Sequence, residues 1–305
     1  MRALVADGRG GADVQEVEEP SPGADEAVVA VEAVSLNRGE IHALRSAGEG
    51  WRPGSDLAGV IHAPAPDGSG PPEGTRVVAL TRGGGWAERV AASTGLTAPL
   101  PDELDFLRAA TLPVAGLTAL RALHVGGPML DRRVLITGAA GGVGRFAVQL
   151  AAHDGADVTA VVGRIERDRD LERLGCNRVS VGMPDEGEFG LILESAGGAS
   201  LAAALALVAP QGTVVSFGNS SREPTTFDPG SFYSRSGARL HAFVLFPELD
   251  RLGTGALDLA HLVELTASGR LEASVGMETS WHDATTAIQA LLDRQVVGKA
   301  VLRID

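Results

Sequence analysis

Residues 134–152 read VLITGAAGGVGRFAVQLAA, and no other stretch of this chain restricts its fold so tightly. A β-branched apolar run stops at Gly138, glycines follow at 141, 142 and 144, and apolar residues at helical spacing take over. That order describes a strand, a tight turn and a helix, with a turn able to approach a phosphate. Ala139-x-Gly141-x-x-Gly144 fits the dinucleotide fingerprint with alanine in first place. Gly141 lets the N–H groups of Ala140, Gly141, Gly142 and Val143 face a pyrophosphate, and the positive end of the helix dipole adds to the attraction. Gly144 permits close helix–strand packing. Purely structural glycines are the alternative, and the strand before and helix after weigh against it.

The surrounding texture agrees with a parallel sheet. Apolar runs at 133–137, 157–162, 178–181, 190–194 and 212–217 alternate with helical patterns at 142–153, 166–174 and 199–208. Strands that are almost continuously apolar are buried on both faces, as in a doubly wound α/β sheet. RLHAFVLF (239–246) reads as a further strand, followed by helices near 254–268 and 282–294 and a closing strand, KAVLRI. Ahead of all this, the first hundred residues carry short β-like runs such as AVVAVEAV and RVVAL between turn-rich segments. They predict a compact β domain.

Composition excludes several partners. The formal net charge of −13 argues against nucleic acid or an anionic membrane surface, because both need clustered cations. No run of about 18 apolar residues is present to span a membrane. MRALVADG reads as a strand rather than a signal peptide, and a single cysteine, Cys176, leaves no intramolecular disulfide. A cytoplasmic protein is expected.

The nucleotide can be narrowed. A P-loop requires Gly-Lys-Ser/Thr, and the only lysine is Lys299. A Tyr-x-x-x-Lys pair is absent, since the only tyrosine, Tyr233, is followed by Gly237 at the lysine's place. An NAD site carries an acidic residue at the end of the second strand to hold the ribose diol. Here Gly163 stands there, followed by Arg164 and Arg167. Two guanidiniums without a carboxylate favour a 2′-phosphate, hence NADPH. The alternative is that both arginines are solvated residues at a helix start.

VSLNRGEI, PGSDLAGVI, GGGWAERV, LPVAGLTALRAL, VLITGAAGGVGRFAVQLAA, LILESAGG, VVSFGNSS and GKAVLRI stand in a definite order. In that order the chain resembles the medium-chain dehydrogenase/reductase superfamily, and within it the zinc-free quinone oxidoreductases related to zeta-crystallin. The resemblance implies a GroES-like β-rich catalytic domain (1–110), a Rossmann NADPH-binding domain (111–246) and a return of the chain to the catalytic domain (247–305). It implies NADPH in the cleft of such proteins, and a homodimer formed through the sheet edge at LHAFVLF.

Zinc-dependent relatives carry a cysteine ligand in the segment matching VSLNRGEIH and a histidine in that matching PGSDLAG. Asn37 and Ser55 occupy those places here, so no metal is expected. Without a metal, the accessible reaction is direct hydride transfer to an electrophilic small molecule, a quinone or an α,β-unsaturated carbonyl. By resemblance Asn37 lies beside nicotinamide or substrate, and His42 is a candidate proton donor whose alternative is a structural or surface role. Thr118, Phe217 and Gly218 match cofactor-contact positions, with Ser195 and the stretch Phe243, Val244 and Leu245 as weaker carry-overs. The Lys–Asp acid pair suggested for related polyketide enoyl reductases has no lysine to use. Two other functions stay open: an enoyl or enone reductase dedicated to one secondary-metabolic pathway, and a cofactor-binding regulatory or structural protein without catalysis.

Overall fold

A computed structural model describes residues 1–164 and 170–305 and divides them into two compact units. The first unit is Met1–Leu117 with Leu252–Asp305, and the second is Thr118–Arg251. The boundaries expected at 110 and 246 thus precede these divisions by a few residues. At the first of them, the helix that opens at Pro113 keeps its first turn in the first unit, where a Cβ on Gly116 would lie 2.9 Å from Leu262 Cδ1.

The first unit begins with β1 (Arg2–Ala6), β2 (Ala12–Glu16), β3 (Glu26–Ser35), α1 (Arg38–Leu44), β4 (Asp56–Ala63), β5 (Arg76–Leu80), β6 (Arg89–Ser93) and β7 (Thr97–Pro99). Two helices follow, α2 (Phe106–Ala109) and α3 (Pro113–Gly126), the second starting with proline at a position where its missing N–H costs nothing and passing into the second unit at Thr118. The unit is completed by α8 (Gly255–Ala267), β14 (Val275–Ser280), α9 (Ala284–Leu292) and β15 (Lys299–Arg303). Its main sheet runs β14-β15-β3-β4-β5-β7, with β6 also paired to β3. Strand β15 joins β3 antiparallel, Val301 opposite Ser35, so the last strand of the chain lies beside one of the first. Trp86, Trp281, Leu4, Ile41, Leu44 and Leu302 are among the buried residues of its core.

The second unit comprises β8 (Arg133–Thr137), α4 (Gly142–His153), β9 (Asp157–Val162), β10 (Arg178–Val181), β11 (Phe189–Glu194), α5 (Gly198–Leu207), β12 (Val208–Ser216), α6 (Pro229–Tyr233), β13 (Arg239–Ala242) and α7 (Leu245–Leu252). Its strands lie in the order β10-β9-β8-β11-β12-β13, every neighbouring pair parallel. This is the 3-2-1-4-5-6 order of a Rossmann sheet, in which the direction of winding reverses between β8 and β11. The apolar runs at 134–136 and 191–193 are wholly buried, as their continuous hydrophobicity requires.

Two expectations need correction. The strand expected over 239–246 ends at Ala242, and Leu245 is the first residue of α7. Pro247 explains the change: it cannot donate to a sheet ladder but sits without penalty in the first turn of a helix. Of the helix expected over 166–174, residues 166–169 lie outside the described residues, and 170–175 form turns.

Candidate functional site

In the second unit, the reversal of strand order places the ends of β8 and β11 side by side, with the glycine turn directly after β8. Gly138 adopts φ +62°, which turns the chain sharply out of the strand. Helix α4 then starts at Gly142 with Gly141 as its N-cap and no acidic side chain in its first turn. A Cβ on Gly144 would lie 2.4 Å from the Gly138 carbonyl oxygen and 2.6 Å from Ala139 Cα. Only glycine lets the helix seat so closely on the turn. The unbonded N–H groups of such a helix start form a cradle for a diphosphate.

Because the strands are parallel, the carboxyl ends of β8, β9, β11, β12 and β13 share one edge. Ala140, Gly141, Gly142 and Val143 follow β8, Gly163 and Arg164 follow β9, Ser195 follows β11, Phe217 and Gly218 follow β12, and Phe243, Val244 and Leu245 follow β13. The fold therefore gathers these positions at the edge where open α/β sheets bind ligands. Thr118 is buried within α3, and Arg167 lies outside the described residues. The turn after β11 is held by the buried carboxylate of Glu194, which accepts from Ala196 N (2.9 Å), Gly197 N (3.0 Å) and Ser200 Oγ (2.8 Å). Ser195 N in turn donates to Thr137 Oγ1 at 2.8 Å, tying the ends of β8 and β11 together. A Cβ on Gly218 would meet Ser195 O at 2.7 Å, so the strand after β11 also approaches within backbone contact.

The first unit holds a separate polar constellation around Asn37, which follows β3 and caps α1. Asp56, at the start of β4 and fully buried, accepts through Oδ2 from Ser35 Oγ (2.6 Å), Asn37 Nδ2 (2.9 Å) and Lys299 Nζ (3.0 Å). Its Oδ1 accepts from Val114 N at 2.8 Å, at the start of α3. Lys299, 4% exposed at the start of β15, also donates to Leu36 O (3.0 Å) and Asn37 Oδ1 (2.5 Å). All three ammonium hydrogens are thereby used.

Glu40 is the second carboxyl of this cluster. Its Oε2 accepts from Asn37 N at 2.9 Å, while Oε1 is buried without a hydrogen-bond partner among the described residues. Burial, reinforced by the neighbouring Asp56 charge and opposed by Lys299, pushes the Glu40 carboxyl up to about 7. A carboxyl whose pKa is raised by folding adds stability that is fully present below its ordinary value of 4.5 and is lost as the pH rises through about 7. Glu40→Gln keeps an acceptor for Asn37 N and cannot ionise. It is expected to match the natural protein near pH 4.5 and to exceed it by about 1–3 kcal/mol at pH 8, measured by denaturant titration at both pH values. An equal difference at the two pH values would refute this titration.

His42 is half-buried on α1, two residues beyond Glu40 and so on another face of the helix. Sequence reasoning singled out Asn37 but missed Lys299, Asp56 and Glu40. One signal was available: a chain with a single lysine places it at the head of the apolar strand KAVLRI, where a charge must find a partner. Among the described residues no three His, Cys, Asp or Glu side chains gather as metal ligands, and no helix is long and apolar enough to cross a membrane.

Comparisons with known proteins fit this geometry. The alcohol dehydrogenase GroES-like domain model matches residues 23–102, and the zinc-binding dehydrogenase model matches 177–302. A chloroplastic quinone oxidoreductase of Triphysaria versicolor is 33% identical over 99% of this chain and 98% of its own length. A spectinabilin polyketide synthase system protein of Streptomyces orinoci is 33% identical over 90% of this chain, which spans 13% of that far longer protein. A mycobacterial protein solved in complex with NADPH superposes with a TM-score of 0.90 at 26% identity, covering 100% of both chains. The chain belongs to the quinone oxidoreductase-like family of medium-chain dehydrogenases/reductases.

Proposed function

We propose that this protein is an NADPH-dependent reductase that delivers hydride, without a metal, to the electrophilic carbon of a quinone or α,β-unsaturated carbonyl. The observation that carries the reading is the fixed Asn37 amide. Where zinc-dependent relatives have a cysteine, Asn37 Oδ1 receives a hydrogen bond from a buried ammonium at 2.5 Å. A second cation beside Lys299 would be repelled, and an amide already committed to Lys299 and Asp56 is a poor zinc ligand.

The second unit would hold NADPH, with the Ala140–Val143 N–H groups on the diphosphate and Gly163, Arg164 and Arg167 around the 2′-phosphate. Thr118, Ser195, Phe217, Gly218 and Phe243–Leu245 line the rest of its path. NADPH, when bound, supplies the hydride from its nicotinamide ring. Asn37 contributes a hydrogen-bond donor to the oxygen on which negative charge accumulates, and His42 is the candidate source of the proton that completes the reduction. The mycobacterial NADPH complex supports the cofactor, and the polyketide synthase relative supports including enoyl thioesters among the acceptors. The exposed outer strand β13 supports pairing with a second copy, in keeping with a cytoplasmic homodimer.

Initial rates with NADPH and NADH against benzoquinones, enones and enoyl thioesters test the reading. NADPH is expected to be preferred at least tenfold. Asn37→Asp, which removes the donor and keeps the shape, should lower kcat by about 10²–10³. Tight NADPH binding without turnover of any acceptor would instead favour a non-catalytic, cofactor-binding role.

A further inference from the structure

We infer, building on the donor role given to Asn37 above, that Lys299 and Asp56 are positioning residues: they lock the Asn37 amide in one of its two flip states so that it offers an N–H to its ligand. An isolated asparagine amide turns over readily, presenting its carbonyl or its NH₂ with little preference. Here the two neighbours remove that freedom. Lys299 has only hydrogens to give, and Nζ stands 2.5 Å from Oδ1. The Asp56 carboxylate has only lone pairs, and its Oδ2 stands 2.9 Å from Nδ2. Flipping the amide would set a carbonyl against a carboxylate and an NH₂ against an ammonium. Two charge-assisted hydrogen bonds would be exchanged for two repulsions.

The clamp itself has no slack. Asp56 is held at four points, by Ser35, Asn37, Lys299 and the Val114 backbone. Lys299 is held at three, by Leu36 O, Asn37 and Asp56. Strands β3, β4 and β15 and the starts of α1 and α3 therefore meet at one amide, which is half-buried while its two clamps are buried. The second N–H of Nδ2 has no acceptor among the described residues and is the group left for a ligand. Such a site selects hydrogen-bond acceptors, the oxygen of a quinone, enone, thioester or carboxamide. The ammonium on Oδ1 also polarises the amide and strengthens that donor.

The test is a double-mutant comparison in the whole protein, with NADPH and a quinone acceptor. Lys299→Met and Asp56→Asn are each made alone and on Asn37→Ala, and kcat, KM and NADPH affinity are measured. Each single substitution should lower kcat at least tenfold with NADPH affinity changed less than twofold. On Asn37→Ala, where no amide remains to orient, the same substitutions should lower kcat less than twofold further. A tenfold loss repeated on Asn37→Ala would show a purely structural role and overturn the inference while leaving the donor role of Asn37 intact. Asn37→Ala with undiminished kcat would overturn the donor role, and the inference with it. Should Lys299→Met not fold, Asp56→Asn carries the comparison, since the nearby Glu40 carboxyl can ionise to balance Lys299.

Discussion

Lys299→Met is expected to destabilise the protein by about 3–5 kcal/mol at pH 7, the usual cost of removing one partner from a buried ion pair. The size of the effect follows from what is left behind. Asp56 is fully buried and would lose the ammonium bonded to it, and Glu40 sits in the same cluster. The Leu36 carbonyl and Asn37 Oδ1 would each lose a donor as well. Methionine fills most of the lysine's volume, so a cavity contributes little and the loss is chiefly electrostatic. The shift of the denaturation midpoint, measured against the natural protein, checks this. Asp56→Asn combined with Lys299→Met should recover part of the loss, because the stranded carboxylate is gone. A midpoint within about 1 kcal/mol of the natural protein would mean that Lys299 is solvated, as an exposed pair is.

Gly144→Ala is the second large expected effect. The added methyl carbon would be built 2.4 Å from Gly138 O and 2.6 Å from Ala139 Cα, both backbone atoms that cannot rotate aside. Helix α4 must therefore lift away from the turn, with a cost of about 1–3 kcal/mol typical of overpacking. The displaced helix start also carries the N–H groups proposed to face the diphosphate. NADPH affinity should fall at least tenfold in a fluorescence titration, and thermal unfolding should report the lost stability. Unchanged affinity would place the cofactor elsewhere.

The parallel sheet was legible because its strands are buried on both faces, so hydrophobicity runs continuously through β8, β9 and β11. The glycine turn was legible because close packing and sharp turning leave glycine as the only residue that fits. Strand β14 escaped notice: VGMETS is half-exposed and carries no apolar run. The apolar character of AFVLF predicts a strand longer than β13, which ends at Ala242 because Pro247 favours a helix from Leu245. The polar cluster of the first unit could not be read from spacing at all. Lys299 and Asp56 lie 243 positions apart, and the antiparallel pairing of β3 with both β15 and β4 brings them together. A lone lysine in a strand announces that a partner exists, but the sequence does not say which carboxylate it is.

Deuterium transfer tests metal-free hydride delivery most directly. The protein is first treated with a metal chelator, then given NADPH deuterated at nicotinamide C4 and a conjugated enone. Metal-free delivery gives a rate undiminished by the chelator and deuterium at the carbon β to the carbonyl. Loss of turnover on chelation, or product without deuterium at that carbon, would contradict metal-free hydride transfer.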